Sequence, residues 1–193
     1  TTTSISLTET PRVTGLLARA DDALILGHRL SEWTGHAPIL EEEMALANIA
    51  LDLIGQARAL YSATGLNEDD LAFRRDAHQF RNVLMVELPN GDFAFTMARL
   101  LMVSVASDLF WQSATTSSDP DMAAIAAKAV KEIAYHVRHA AEWLIRLGDG
   151  TAESHRRAQD AVDALWPYTG ELFQEPGAWR AVIEPILARA TLS

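Results

Sequence analysis

Apolar residues recur along this chain at spacings of three and four, and no convincing alternating strand pattern breaks the run. That periodicity predicts helices throughout. A first helix is expected from Pro11 to Trp33, with proline at its start, where the missing N–H does no harm. Thr34-Gly35-His36-Ala37-Pro38 stops it, and a second helix is expected from Leu40 to Ala63, ending near Gly65. A shorter helical stretch carries Phe73, Phe80 and Leu84 and closes at Pro89-Asn90-Gly91, a turn signal. Asp92 suits the N-cap of a third long helix reaching Ala114. Asp119-Pro120 opens a fourth, which ends at Gly148-Asp149-Gly150. Thr151 can cap a fifth from Ala152 to Tyr168. The tail from Gln174 holds Pro176 and Pro185, so at most short helices are expected there.

Four long helices, with a connection between the second and third long enough for a crossover, fit a ferritin-like bundle better than a simple up-down one. The expected fold is all-α, a ferritin-like four-helix bundle with extra C-terminal helices. Residues 1–193 are read as one domain with a short disordered N-terminus.

A bundle of this kind can hold a di-metal centre, which needs a Glu from each of two helices and a Glu-x-x-His pair from each of the other two. No Glu or Asp in the chain has a His three positions later. Polar residues nevertheless interrupt the apolar helices. Asn48, Asp52 and Gln56 recur every four residues on the second helix. That face looks either at solvent or into the core; its Ala, Ile and Leu neighbours favour a buried polar thread, whose members need partners. Lys128, Glu132, His136 and His139 share a face of the fourth helix. Tyr135 occupies the position three after Glu132 where a ligand histidine belongs. A Glu–His hydrogen bond or an internal ion pair is the favoured use of that pair. The first helix offers His28 and Glu32, and the third has no Glu, only Asp108 with Gln112. The carboxylates Glu32, Asp52, Asp108 and Glu132 are expected to interlock with Arg99 or Lys128 as a polar core where a metal would otherwise sit, because unpaired they would cost several kcal/mol each.

Composition narrows the function further. A net charge of −10 argues against nucleic acid as the main partner. The absence of Cys excludes disulfides, zinc-thiolate sites and iron–sulfur clusters, and makes a reducing cytoplasm the expected compartment. The most apolar stretch, Phe93 to Ser107, is shorter than a bilayer-spanning helix and contains Arg99, so a core helix and no membrane association are expected. There is no G-x-S-x-G, no phosphate-cradling glycine loop and no H-E-x-x-H. Five tryptophans, including Trp111 and Trp179, are read as core and interface anchors.

Between these polar positions stand GHAP at 35–38, ALANIALDLIGQAR at 45–58, FRRD at 73–76, VELPNGDFAFT at 86–96, KEIAYHVRHAAEWLIRLGDGT at 131–151 and LWPYTGELF at 165–173. Together they resemble the PaaC family, the structural subunits of bacterial phenylacetyl-CoA epoxidase, also called ring 1,2-phenylacetyl-CoA monooxygenase. The resemblance runs nearly continuously from residue 14 to residue 173. It implies a ferritin-like, non-catalytic subunit of an NADPH- and O₂-dependent complex for aerobic phenylacetate catabolism. No catalytic, cofactor or metal residue is then expected in this chain. The di-iron centre would lie in the partner catalytic subunit, in a heterodimer or higher hetero-oligomer. Flavin and iron–sulfur would lie in a reductase, and a small accessory subunit is a further partner. The family carries more chain after the LFQ region than stands here before EPGAWRAVIEPILARATLS, so a short or incomplete C-terminal part is expected. Rival readings are an active metalloenzyme with a degenerate di-metal site and a ferritin-like homo-oligomeric module. Arg74, Arg75, Arg81 and Arg138 are candidates for meeting an anionic CoA tail.

Overall fold

A computed structural model describes residues 10–173 and 176–193, so the expectation of a disordered N-terminus lies almost wholly outside the described residues. The fold is all-α and of the ferritin-like class, with eight α-helices and no strand among the described residues. They are α1 (Pro11–Ser31), α2 (Leu40–Ala63), α3 (Glu68–Phe73), α4 (Leu84–Glu87), α5 (Phe93–Ala114), α6 (Pro120–Gly148), α7 (Ala152–Leu165) and α8 (Pro176–Arg189). Short 3₁₀ turns at Ala77–Gln79 and Trp166–Glu171 follow α3 and α7.

Local chemistry sets the boundaries. The Thr10 hydroxyl accepts from the Val13 N–H at 3.3 Å ahead of Pro11, and Asp92 accepts from the Phe95 N–H at 2.9 Å. Thr151 and Ser154 cap α7 reciprocally. Gly65, at φ 77°, takes the left-handed conformation just past α2. α8 is a full helix of 14 residues, longer than the two prolines suggest. Pro176 stands at its first position, and Pro185 and Ala181, whose carbonyl loses its N–H partner, are both exposed, so water can satisfy that oxygen.

The chain divides into two compact units, Thr1–Glu87 with Ser118–Ile125, and Leu88–Ser117 with Ala126–Ser193. In the first, α1 and α2 form an antiparallel hairpin. Leu16, Leu17, Ala20 and Leu24 of α1 are buried, as are Leu46, Ile49, Leu53 and Leu60 of α2. Gly27 permits the close approach, since a Cβ there would stand 3.1 Å from Ile54 Cγ1 and 3.3 Å from the Ala50 carbonyl. Arg12 ties the open end, reaching the Ala63 carbonyl at 2.7 Å, Asp119 at 2.6 Å and Asp121 at 3.1 Å.

In the second unit α5 packs on α7 and α8. The α5 helix corrects one sequence expectation: at 22 residues it is long and apolar enough to cross a membrane by length and composition. Its buried residues run without a break from Thr96 to Val105 and so surround the axis, the mark of a core helix. Trp179 of α8 is 1% exposed and donates its indole N–H to the Met102 carbonyl at 3.0 Å. Trp166 and Phe173 pack around it at 5.8 and 5.0 Å between ring centroids. At the α6–α7 turn a Cβ on Gly148 would lie 2.1 Å from the Ala190 carbonyl, so only glycine fits.

Candidate functional site

The residues expected to form one polar core divide into three environments. Glu32 follows the last residue of α1, beyond the buried stripe that ends at Leu30; it is exposed and pairs with Arg29 at 2.9 Å. Asn48 and Tyr135 are also exposed, so these three do not belong to the core as the sequence suggested. Asp52, Asp108, Glu132 and His139 are partly buried. Gln56 and His136 are fully buried.

The physical reason is the helical repeat. Residues four apart share a face only approximately, since each step turns about 40° further round the axis. Asn48, Asp52 and Gln56 therefore pass from solvent, through a half-buried position, into the core. The same drift carries Lys128, with its side chain 74% exposed, through Glu132 at 16% to buried His136. Lys128 does pair with Glu132, at 3.2 Å. Arg99 turns instead to the segment preceding its helix, donating to the Leu88 carbonyl and to Asn90 Oδ1. Thr96 adds a bond to the Asn90 carbonyl at 3.1 Å, so Arg99 anchors the Pro-Asn-Gly turn to α5.

These residues do not fit a di-iron centre. Among the described residues no group of three or more His, Asp or Glu side chains is placed to hold a metal ion. On α5, Asp108 accepts from the Gln112 amide at 2.7 Å, and burial pushes its carboxyl above the ordinary aspartate value against the pull of that hydrogen bond. On α6, Tyr135 stands over His139 at 5.7 Å between ring centroids and meets Arg138 at 5.5 Å.

The most organised polar cluster lies elsewhere, at positions that no sequence spacing links. Asp21 of α1 and Arg75 have side chains with no exposure, and the guanidinium grips the carboxylate with both terminal nitrogens, one at 3.0 Å. The Tyr61 hydroxyl donates to Asp21 at 2.6 Å and the Arg81 backbone N–H does so at 2.8 Å. Arg75 further donates to the Leu71 carbonyl at 2.6 Å and the Gln79 carbonyl at 3.1 Å, with Phe80 stacked on its face at 4.1 Å. Burial first, then the neighbouring carboxylate, pushes the Tyr61 hydroxyl upward, so it remains a proton donor at any physiological pH. This network welds residues 71–81 onto α1 and α2, and withdraws Arg75 from any role as an anion ligand. Arg74 pairs with Asp70 at 2.9 Å. The one signal in the sequence is Asp21 itself, placed between Leu17 and Leu24 on the apolar face of α1.

A cleft of about 160 Å³ opens nearby, with Leu24, Ile54, Ala57 and Phe73 as its apolar lining and Arg58 and Glu68 at its rim. His28, Glu68 and Asp69 also stand on its walls but are not grouped to hold a metal ion, and Arg58 and Glu68 neutralise one another at 3.0 Å.

Comparison with known proteins fits the resemblance read from the motifs. The C component of the 1,2-phenylacetyl-CoA epoxidase of Escherichia coli (strain K12), one of that enzyme's subunits, is 49% identical over 162 residues, which cover 81% of this chain and 65% of that protein. The chain thus matches a little under two thirds of its relative's length. The family model described as phenylacetic acid catabolic protein matches residues 1–192. On that match, which takes in both compact units, the chain belongs to the phenylacetic acid catabolic protein family.

Proposed function

We propose that this chain is a non-catalytic structural subunit of a multicomponent di-iron phenylacetyl-CoA monooxygenase, pairing with the catalytic subunit and stabilising it. The observation that carries this reading is chemical: the helix faces that would ligate two metals present Tyr135 in place of a histidine and no Glu on α5. Three of the four carboxylates expected to line the site are engaged locally, Glu32 by Arg29, Glu132 by Lys128 and Asp108 by Gln112. The relatedness to an epoxidase subunit supplies the complex. Oxygen activation belongs to the partner's di-iron site, and electrons come from a flavin and iron–sulfur reductase. The chain itself holds a shape against which the catalytic subunit packs, in the cytoplasm and independently of nucleic acid or membrane.

The test is co-expression with the cognate catalytic subunit. The two should co-purify, and activity on phenylacetyl-CoA should need both. Full activity of the catalytic subunit alone defeats the proposal. So does about two equivalents of iron bound to this chain by itself, the loading a bundle di-iron site takes.

A further inference from the structure

The outward face of α2 carries, beside the exposed Asn48, a row of large apolar side chains where a solvent-facing helix is normally polar. Leu40, Met44 and Leu51 are 68%, 59% and 66% exposed. With Ala47, Ile54 and Arg58 they fall at 40, 44, 47, 51, 54 and 58, alternating steps of four and three. That 3.5-residue repeat is the seam with which one helix receives another. It extends over about 27 Å at 1.5 Å per residue. Ile54 and Arg58 also line the cleft closed by Phe73, whose ring is 75% exposed, so the seam ends in a recess able to take a projecting side chain.

We propose that this seam docks an amphipathic helix of the catalytic subunit, one carrying apolar residues at heptad spacing and Lys or Arg beside its end nearest Leu40. The inference rests on the reading of the chain as a structural subunit. The charge demand comes from Glu41 and Glu43, which flank the seam on both sides of its first turn. A second copy of the same face is a poorer occupant. Parallel pairing sets these glutamates against each other. Antiparallel pairing offers them Arg58, which Glu68 already holds at 3.0 Å.

The experiment uses the full chain and the cognate catalytic subunit. Met44→Glu combined with Leu51→Glu should leave helicity and melting of the isolated chain unchanged, because both side chains face solvent. The same pair should weaken binding to the catalytic subunit by at least about 100-fold, the loss typical of removing buried anchors. Glu41→Gln with Glu43→Gln should weaken it by about tenfold at low salt and flatten its salt dependence. Binding of both variants within twofold of the unsubstituted chain overturns the proposal. So does a chain that dimerises alone through this face and loses the dimer, but not the catalytic subunit, on substitution. An unsubstituted chain that fails to bind the catalytic subunit removes the structural-subunit reading as well, which separates the two failures.

Discussion

Asp21 in the first unit and Asp108 in the second solve the same problem in opposite ways. Asp21 has no solvent exposure, and meets a full cation, a phenol hydroxyl and a backbone N–H. Asp108 is only half-buried, and its hydrogen bond comes from a neutral amide one turn away on its own helix. Depth of burial is therefore a poor guide to how well a carboxyl is partnered. The deeper group is met by three donors from outside its own helix, while burial pushes the shallower one toward its neutral form. The contrast also separates a group that ties distant segments together from one that acts within a single helix: Asp21 and Arg75 are 54 positions apart, Asp108 and Gln112 only four.

The largest expected effect follows from removing the carboxylate alone. Asp21→Ala leaves the Arg75 guanidinium buried opposite an empty space, and should destabilise the fold by about 3–5 kcal/mol in urea unfolding. A loss below about 1 kcal/mol, the level of an exposed ion pair, would mean that Arg75 escapes to water and that the network is dispensable. Replacing the pair together sharpens the point. Asp21→Leu with Arg75→Met removes both charges and should recover at least about 1 kcal/mol relative to Asp21→Ala. If the double variant is as unstable as the single one, the backbone contacts of Arg75 with Leu71 and Gln79 matter more than its charge.

A smaller loss is expected from Tyr61→Phe, which deletes one donor to a charged group and leaves the ring packing intact. The cost should be about 1.5–3 kcal/mol in urea unfolding. Measured in the Asp21→Ala background it should shrink sharply, because the acceptor is gone.

The long helices are legible in the sequence because their ends carry strong local chemistry: Pro11, Asp92, Asp119-Pro120 and Thr151 all stand at the boundaries expected of them. The site is less legible for two reasons. Polar residues at four-residue spacing look like one face in the sequence, although Asn48 and Gln56 lie about 80° apart round α2. Contacts such as Asp21 with Arg75 have no sequence period at all, so only an Asp set within a leucine stripe hints at them. The apolar seam of α2 is hidden by the same drift. Placing Asn48 inside carries Met44 and Leu51, its neighbours four before and three after, into the core with it, whereas all three face outward.

The smallest effect tests the Asp108 half of the comparison through pH. Asp108 ionises above its ordinary value of 3.8 in the folded chain, so the folded state binds a proton more tightly than the unfolded one does. Its contribution to stability is fully present below that ordinary value and is lost as pH rises through the raised one. Asp108→Asn cannot titrate. The stability of the variant minus that of the natural chain should therefore climb with pH across this window and then level off, as read by urea unfolding at successive pH values. Control substitution of Gln112→Ala removes the bond that favours the charged form, and should push the Asp108 titration higher still. A difference that stays flat with pH, or falls, would mean that burial does not raise the Asp108 carboxyl, and the distinction drawn between the two units would collapse.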